Sequence, residues 1–280
     1  MAFPQAAVTK FREETVAQFE QSQTQLAMAT TRENMMNGQA AVFLVSGSNG
    51  DTAVTRGANG DIPYGGPQNT QVTITLAERH AAKELTGFDV FASQGNQADG
   101  LRKKVVNIMN RDQDLTILAA MAAFTQDFGS GPMDLTTILG AVAILGNNQV
   151  PTDEEDNMFG VVSPAATAYM LQFTEFSSAD YVEMKPYANG ATKRYRRWAG
   201  INWIQSPLVT GVGTSSEILY IWHRDALGYA ANLTSAKVYA GYEEKHARNW
   251  ARAELYHQAA RLQNTGAIKI THDGSAFAAT

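Results

Sequence analysis

The side chains that carry most protein chemistry are sparse in this chain, and they do not converge. Its five histidines, His80, His223, His246, His257 and His272, are scattered, with the closest pair eleven residues apart. A zinc helix sets two histidines one turn apart around a glutamate, and no such spacing occurs, so these histidines read as surface or core-edge residues. His223-Arg224-Asp225 matches the start of a kinase catalytic loop. The asparagine that should follow is misplaced, and no Gly-rich loop, Val-Ala-Ile-Lys or Asp-Phe-Gly segment supports it. It reads as a chance tripeptide. Asp153-Glu154-Glu155-Asp156 gathers carboxylates of the kind calcium favours. Adjacent positions diverge, however, and no central glycine shapes a loop, so a solvated acidic loop is expected. Two Asn-Gly-Asp turns, at Asn49–Asp51 and Asn59–Asp61, lack the strict period of calcium-binding repeats. Lys193-Arg194-Tyr195-Arg196-Arg197-Trp198 interleaves cations with aromatics. That pattern suits a nucleic-acid face, but the acidic total charge favours a solvated or interface hairpin with paired charges. Neither a cofactor nor a metal is expected.

Composition narrows the classes further. The chain has 280 residues, 44% hydrophobic and 18% charged, with 26 aromatic side chains. That is enough apolar surface for a sizeable core. A net charge of -5 disfavours tight generic binding to nucleic acid, because phosphate neutralisation needs a basic excess. With no cysteine, disulfides and thiolate chemistry are excluded. The longest apolar runs fall short of the ~20 residues that span a bilayer. Met1-Ala2-Phe3-Pro4-Gln5 lacks the basic-then-apolar order of a signal peptide, so a reducing cytoplasm is expected.

Residues 1–37 are polar, with sparse apolar positions. An amphipathic helix around Phe11–Leu26 would be weakly self-stabilised and would need something else to lie on. Ala41–Val45 reads as a strand, and Val72, Ile74 and Leu76 alternate with threonines as a second. Between them Ser46–Thr70 holds six glycines. A structureless loop of that length is uncommon inside a compact subunit, so the segment is predicted to be a projecting hairpin ordered against a neighbour. Spacing then predicts a long helix over 96–124, with Leu101, Val105, Ile108/Met109, Leu115 and Leu118 on its stripe and Asp112 as a partner-paired or stripe-edge carboxylate. Such a helix spans roughly 40 Å. A second helix runs from about Asp134 to Leu145, with Leu139 on its face, and ends at Gly146-Asn147-Asn148. Phe159–Val162 is a buried strand. Ser163-Pro164 then opens a third helix running to about Phe173. Strand-like runs follow at Gly200–Ile204, Gly211–Gly213, Ile218–Trp222, Ala236–Gly241 and Ala267–Ile270, while His246–Leu262 fits helix or strand.

This order of elements resembles the major capsid proteins of tailed phages, whose Hong Kong 97-type fold is shared with encapsulins and the herpesvirus capsid floor. Several stretches carry the resemblance across nearly the whole chain. Leu135–Leu145 leads into Gly-Asn-Asn-Gln-Val-Pro, and Phe159-Gly-Val-Val-Ser-Pro precedes a Tyr-containing helix. Arg197-Trp-Ala-Gly-Ile-Asn-Trp-Ile-Gln-Ser-Pro, Trp222-His-Arg-Asp-Ala-Leu-Gly and the close at Ala259–Ile270 complete it. The resemblance tilts His246–Leu262 toward strand.

It implies an α+β subunit with an N-terminal arm (1–37) and an extended loop (38–82). A peripheral domain with a spine helix (83–132 and 231–280) and an axial domain (133–230) make up the rest. It implies self-assembly into hexamers and pentamers of an icosahedral head enclosing double-stranded DNA, with assembly in the host bacterial cytoplasm. Portal and decoration proteins are the implied partners. Lysine crosslinking, known in some relatives, is not expected, since 41–82 contains no lysine. Residues 1–37 are short for a built-in scaffolding segment, so a separate scaffolding protein is expected. Asp51, Arg56, Asp61 and Tyr64 are the expected intersubunit contacts in the loop. Lys193, Arg194, Arg196 and Arg197 are the expected DNA-facing or interface cations. The alternative of the same architecture is an encapsulin-type compartment; that of another class is a hydrolase, for which no convergent residue set speaks.

Overall fold

A computed structural model of the chain describes residues 21, 23–34, 38–48, 50–87, 97–154, 156–172, 195–232 and 236–277; for 97–99, 195 and 196 only the backbone is described. Three helices and three sheets organise these residues. The strands are β1 (Thr31–Asn34), β2 (Ala40–Gly47), β3 (Gln68–Thr75), β4 (Ala77–Thr86), β5 (Asp127–Ser130), β6 (Met158–Val162), β7 (Tyr195–Trp198), β8 (Ile201–Gln205), β9 (Glu217–His223), β10 (Leu227–Ala231), β11 (Lys237–Glu243), β12 (Arg248–Arg261) and β13 (Ala267–His272). The helices are α1 (Gln97–Met121), α2 (Leu135–Asn147) and α3 (Pro164–Met170).

β12 is the axis of the five-stranded sheet. β4 pairs antiparallel with it from Arg248↔Thr86 to His257↔Ala77. β11 and β10 pair with it at successive registers, Glu243↔Arg248 to Lys237↔Glu254 and Ala231↔His257 to Leu227↔Arg261. β1 adds to β10 in parallel. The segment left open between helix and strand is thus a strand. Its alternating burial explains the ambiguity: Ala251, Ala253, Leu255 and His257 turn inward, and the residues between them are less buried.

The six-stranded sheet runs β5-β13-β9-β6-β8-β7. β6 lies in its middle and is buried at every position, as a strand covered on both faces must be. β13 comes from the C-terminal stretch yet joins this sheet, while β10 joins the five-stranded one. The two sheets therefore exchange strands across the boundary expected at residue 230.

α1 serves two cores. Leu101, Val105 and Met109 pack on Ala81, Ala251, Ala253 and Leu255. Ile117, Leu118 and Met121 enter the main cluster around Trp222. Leu115, expected on the stripe, is instead exposed; the inward position beside it belongs to Asp114. Asp112 sits at the stripe edge with a partner, as expected: the His257 Nε2–H donates to its carboxylate at 3.1 Å.

Caps follow sequence chemistry. Asp134 accepts from the Thr137 N–H at 2.7 Å, and Ser163 from the Ala166 N–H at 3.0 Å. α2 ends at Asn147, within the expected Gly146-Asn147-Asn148 stop, and the left-handed residue after it is Gln149 at φ 60°. Leu139, expected inward, is exposed. α3 ends at Met170; Phe173 lies outside the described residues. Gly211–Gly213, expected as strand, is a turn. Both glycines have positive φ, and a Cβ on Gly211 would sit 2.4 Å from the Ser216 carbonyl oxygen.

The expected helix at 11–26 falls mostly outside the described residues. Its last residue, Leu26, is fully buried in this chain's own core and leads into a 3-10 turn at Ala27–Ala29. That part of the arm lies on its own subunit, which corrects the expectation that the whole arm needs a neighbour.

Candidate assembly surface

The hairpin of β2 and β3 is the most prominent surface device. Eight cross-strand pairs, Ala40↔Thr75 to Gly47↔Gln68, hold it in regular register. Each eight-residue strand reaches roughly 26 Å. Its base is fixed: Ala41 and Ile74 are buried against Ala230, with Phe43, Leu76 and Ala260 around them. Gly228 presses close to Ile74 and Leu262, where even a methyl would meet carbons at 3.0–3.2 Å.

Beyond the paired strands, residues 50–67 are exposed at every position. The local bonds that shape this tip are backbone ones. The Asp51 N–H donates to the Ser48 carbonyl at 3.0 Å, Gly57 N–H to Asp61 at 2.9 Å and Gly60 N–H to Gly57 at 2.8 Å. Gly50 and Gly60, in the two Asn-Gly-Asp turns, take positive φ, the conformation such turns need. Asp51 leans on the Gly65 backbone, where a Cβ would lie 2.3 Å from its Oδ2. Arg56 and Asp61 are exposed and Tyr64 is 93% exposed. None of the four expected contact residues has a side-chain hydrogen bond or ion pair among the described residues. Val42, Leu44, Val54 and Ile62 add more than half-exposed apolar side chains. A packed base thus carries a tip whose charged, aromatic and apolar side chains are exposed and, among the described residues, make no side-chain hydrogen bond or ion pair within the subunit.

The other candidates resolve differently. In the basic run, Lys193 and Arg194 and the side chain of Arg196 lie outside the described residues. Arg197 binds Asp156 at 2.6 Å, a paired charge drawn from the acidic loop. Among the described residues no cluster of His, Asp and Glu fits a metal ion. His223-Arg224-Asp225 is a corner between β9 and β10. The Asp225 N–H donates to His223 Nδ1 at 3.2 Å, the Arg224 guanidinium sits 5.3 Å from the Phe159 ring centroid, and Asp225 accepts from the Thr31 hydroxyl at 2.8 Å.

Three histidines are core residues rather than surface ones: His223, His257 and His272 are 6%, 0% and 1% exposed. Carboxylates take up His257 and His272, since a buried imidazole needs a polar partner, while His223 accepts the Asp225 backbone N–H. Two buried carboxylates escaped the sequence reading. Glu217 accepts from the Gly213 N–H at 2.7 Å and from the Ser163 hydroxyl, and lies 2.7 Å from His272 Nε2. Serine, histidine and glutamate meet here, but the serine proton points to glutamate and its oxygen is taken by the α3 N-terminus. All three are sealed from solvent. The trio ties three elements together and activates no nucleophile. Asp114 is the second. It accepts from the Gln25 and Leu26 N–H groups at 3.0–3.1 Å, from the Thr24 hydroxyl at 2.9 Å and from Gln21 Nε2. Its signal was present: positions 114, 117, 118 and 121 share one helical face, so a carboxylate there must be buried.

An α+β subunit with a long helix, two sheets exchanging strands and a projecting hairpin is the Hong Kong 97-type capsid fold. Solved structures superpose over nearly the full chain. That of Mycobacterium phage Che8 has a TM-score of 0.74 at 18% identity, covering 96% of this chain and 98% of the other. The capsid of cyanophage P-SCSP1u scores 0.72 at 15% identity, covering 95% and 93%. The capsid of a native GTA particle scores 0.72 at 11% identity, covering 96% of each. No curated protein matches the chain. A family profile does, over residues 3–274, and the chain belongs to the phage capsid protein family. It is a structural, shell-forming subunit of the phage head, and the encapsulin alternative is not favoured. No described helix is long and apolar enough to cross a membrane.

Proposed function

We propose that the subunit builds hexamers and pentamers of an icosahedral head around double-stranded DNA, with its β2–β3 hairpin laid across neighbouring copies. The carrying observation is the contrast within that hairpin. Its base is buried against Ala230, while Asp51, Arg56, Asp61 and Tyr64 are exposed and unengaged at its tip. Each contact is weak alone. Closure of a shell makes many at once, so effective concentration replaces individual affinity. Arg56 pairs with a carboxylate across the interface. α1 and most of the five-stranded sheet form the peripheral part and the six-stranded sheet the axial part, with β10 and β13 exchanged between them.

The basic run at 193–197 contacts DNA weakly or lines an interface; the acidic net charge favours weakness. Separate scaffolding, portal and decoration proteins complete the assembly, which takes place in the host bacterial cytoplasm. Negative-stain microscopy of the expressed protein, alone and with the products of neighbouring genes, tests the reading. Closed shells or hexameric and pentameric rings are expected. A monomer that persists at high concentration defeats it, and shells packed with a protein cargo instead of DNA transfer it to the compartment class.

A further inference from the structure

The five-stranded sheet ends on one side in β11, whose edge away from β12 has no partner strand among the described residues. Its seven residues pair with β12 without a register break, so the free edge is regular. Every residue from Lys237 to Tyr242 is exposed, including Val238 at 44% and Tyr242 at 55%. Proteins ordinarily blunt such an edge with proline, a bulge, inward charge or a covering element. β11 carries charge only at its two ends, Lys237 and Glu243. An undefended edge is a template for another strand.

We propose that β11 pairs edge to edge with β11 of a second copy of this chain, antiparallel, about a two-fold axis through Ala240. The strand is complementary to its own reverse. In that register Lys237 faces the partner's Glu243, Val238 faces the partner's Tyr242, and Tyr239 faces the partner's Gly241. Opposite charges and aromatic–β-branched pairs directly across two strands are the stabilising combinations. Glu243 is held at the strand end by Arg248 at 2.6 Å and His246 at 2.7 Å, so its charge is fixed in place. One-residue slips lose both charge pairs and turn every apolar side chain to the other face, which selects this register. The contact is isologous, and closes a pair rather than a shell; it adds to the hairpin contact proposed above.

The absence of cysteine makes the test clean. Opposed Cβ atoms in antiparallel strands lie ~4.5–5.5 Å apart, so a disulfide can close with small adjustment. Assembled Ala240→Cys particles, oxidised and run on a denaturing gel, are expected to give covalent dimers that reductant removes. Val238→Cys alone should stay monomeric, while Val238→Cys with Tyr242→Cys should crosslink. Intact shells of Ala240→Cys and of the double variant that yield no dimer overturn the strand pairing and leave the shell-building reading standing. Crosslinking of Val238→Cys alone as readily as Ala240→Cys also overturns it, because random encounter then explains both. If Ala240→Cys does not assemble, the double variant carries the same two outcomes.

Discussion

The Leu26 N–H donates to the Asp114 carboxylate at 3.1 Å, and both residues are fully buried. A carboxylate in the middle of α1 thereby anchors the end of the N-terminal segment, with no cation beside it among the described residues. Ala29 continues the attachment by accepting from the Trp222 indole N–H at 2.8 Å.

Asp114→Ala is expected to release that segment. The Gln25 and Leu26 N–H groups lose their acceptor, at about 1–3 kcal/mol for each group left unsatisfied. Denaturant unfolding of the soluble subunit should show the loss, and trypsin should cut at Arg32 faster than in wild type. Unchanged stability and unchanged cleavage would show that the carboxylate does not hold the arm.

Acid should weaken the link between α1 and β12. Asp112 is held below the ordinary carboxylate range chiefly by the hydrogen bond from His257, against a desolvation cost, with Arg79 at 3.8 Å adding to it. A lowered folded value means the folded state binds the proton less tightly than the unfolded one. The group therefore contributes stability above its unfolded value, and that contribution is lost as pH falls through the folded one. Asp112→Asn should lose stability less steeply than wild type below roughly pH 5. Parallel curves of unfolding midpoint against pH would contradict this.

Arg56→Glu separates folding from assembly. The residue is exposed and unengaged in the subunit, so its substitution should shift subunit stability by no more than ~0.5 kcal/mol. Particle yield, or the resistance of mature particles to heat, should fall clearly. Mature particles of normal yield and stability would remove Arg56 from the interface.

Gly160→Ala should damage the six-stranded sheet without touching the surface. The added Cβ would lie 2.7 Å from the Trp203 ring and 3.2 Å from Ile201 Cγ2, on a strand buried on both faces. Overpacking of that kind costs about 1–3 kcal/mol. A calorimetric scan of the isolated subunit would register it as a lower melting temperature.

Local pattern was enough for much of this protein. The β2–β3 hairpin, α1, the Ser163 N-cap and the inward strand β6 were legible because each is written within a few residues: alternation, three-four spacing, or a capping side chain beside its helix. The glycine-laden tip was legible for the converse reason, since nothing in it can form a core. Asp112 was placed at the stripe edge with a partner, though His257 lies 145 residues away and could not be named.

Tertiary structure decided what depends on distant partners. β4 and β10 were not seen as strands. β4 buries only Ala81, with Leu85 partly buried, and its geometry is imposed by pairing with β12. β10 is too short to show a period. Gly211–Gly213 carries no local mark separating turn from strand, and whether Leu115 or Asp114 turns inward depends on what the second half of α1 meets. Sequence alone determined a polar-armed, hairpin-bearing subunit suited to assembly. Which carboxylates are buried, and which strand of the described residues ends a sheet, was settled only by the three-dimensional packing, because burial of a charge and position in a sheet are properties of neighbours remote in the chain.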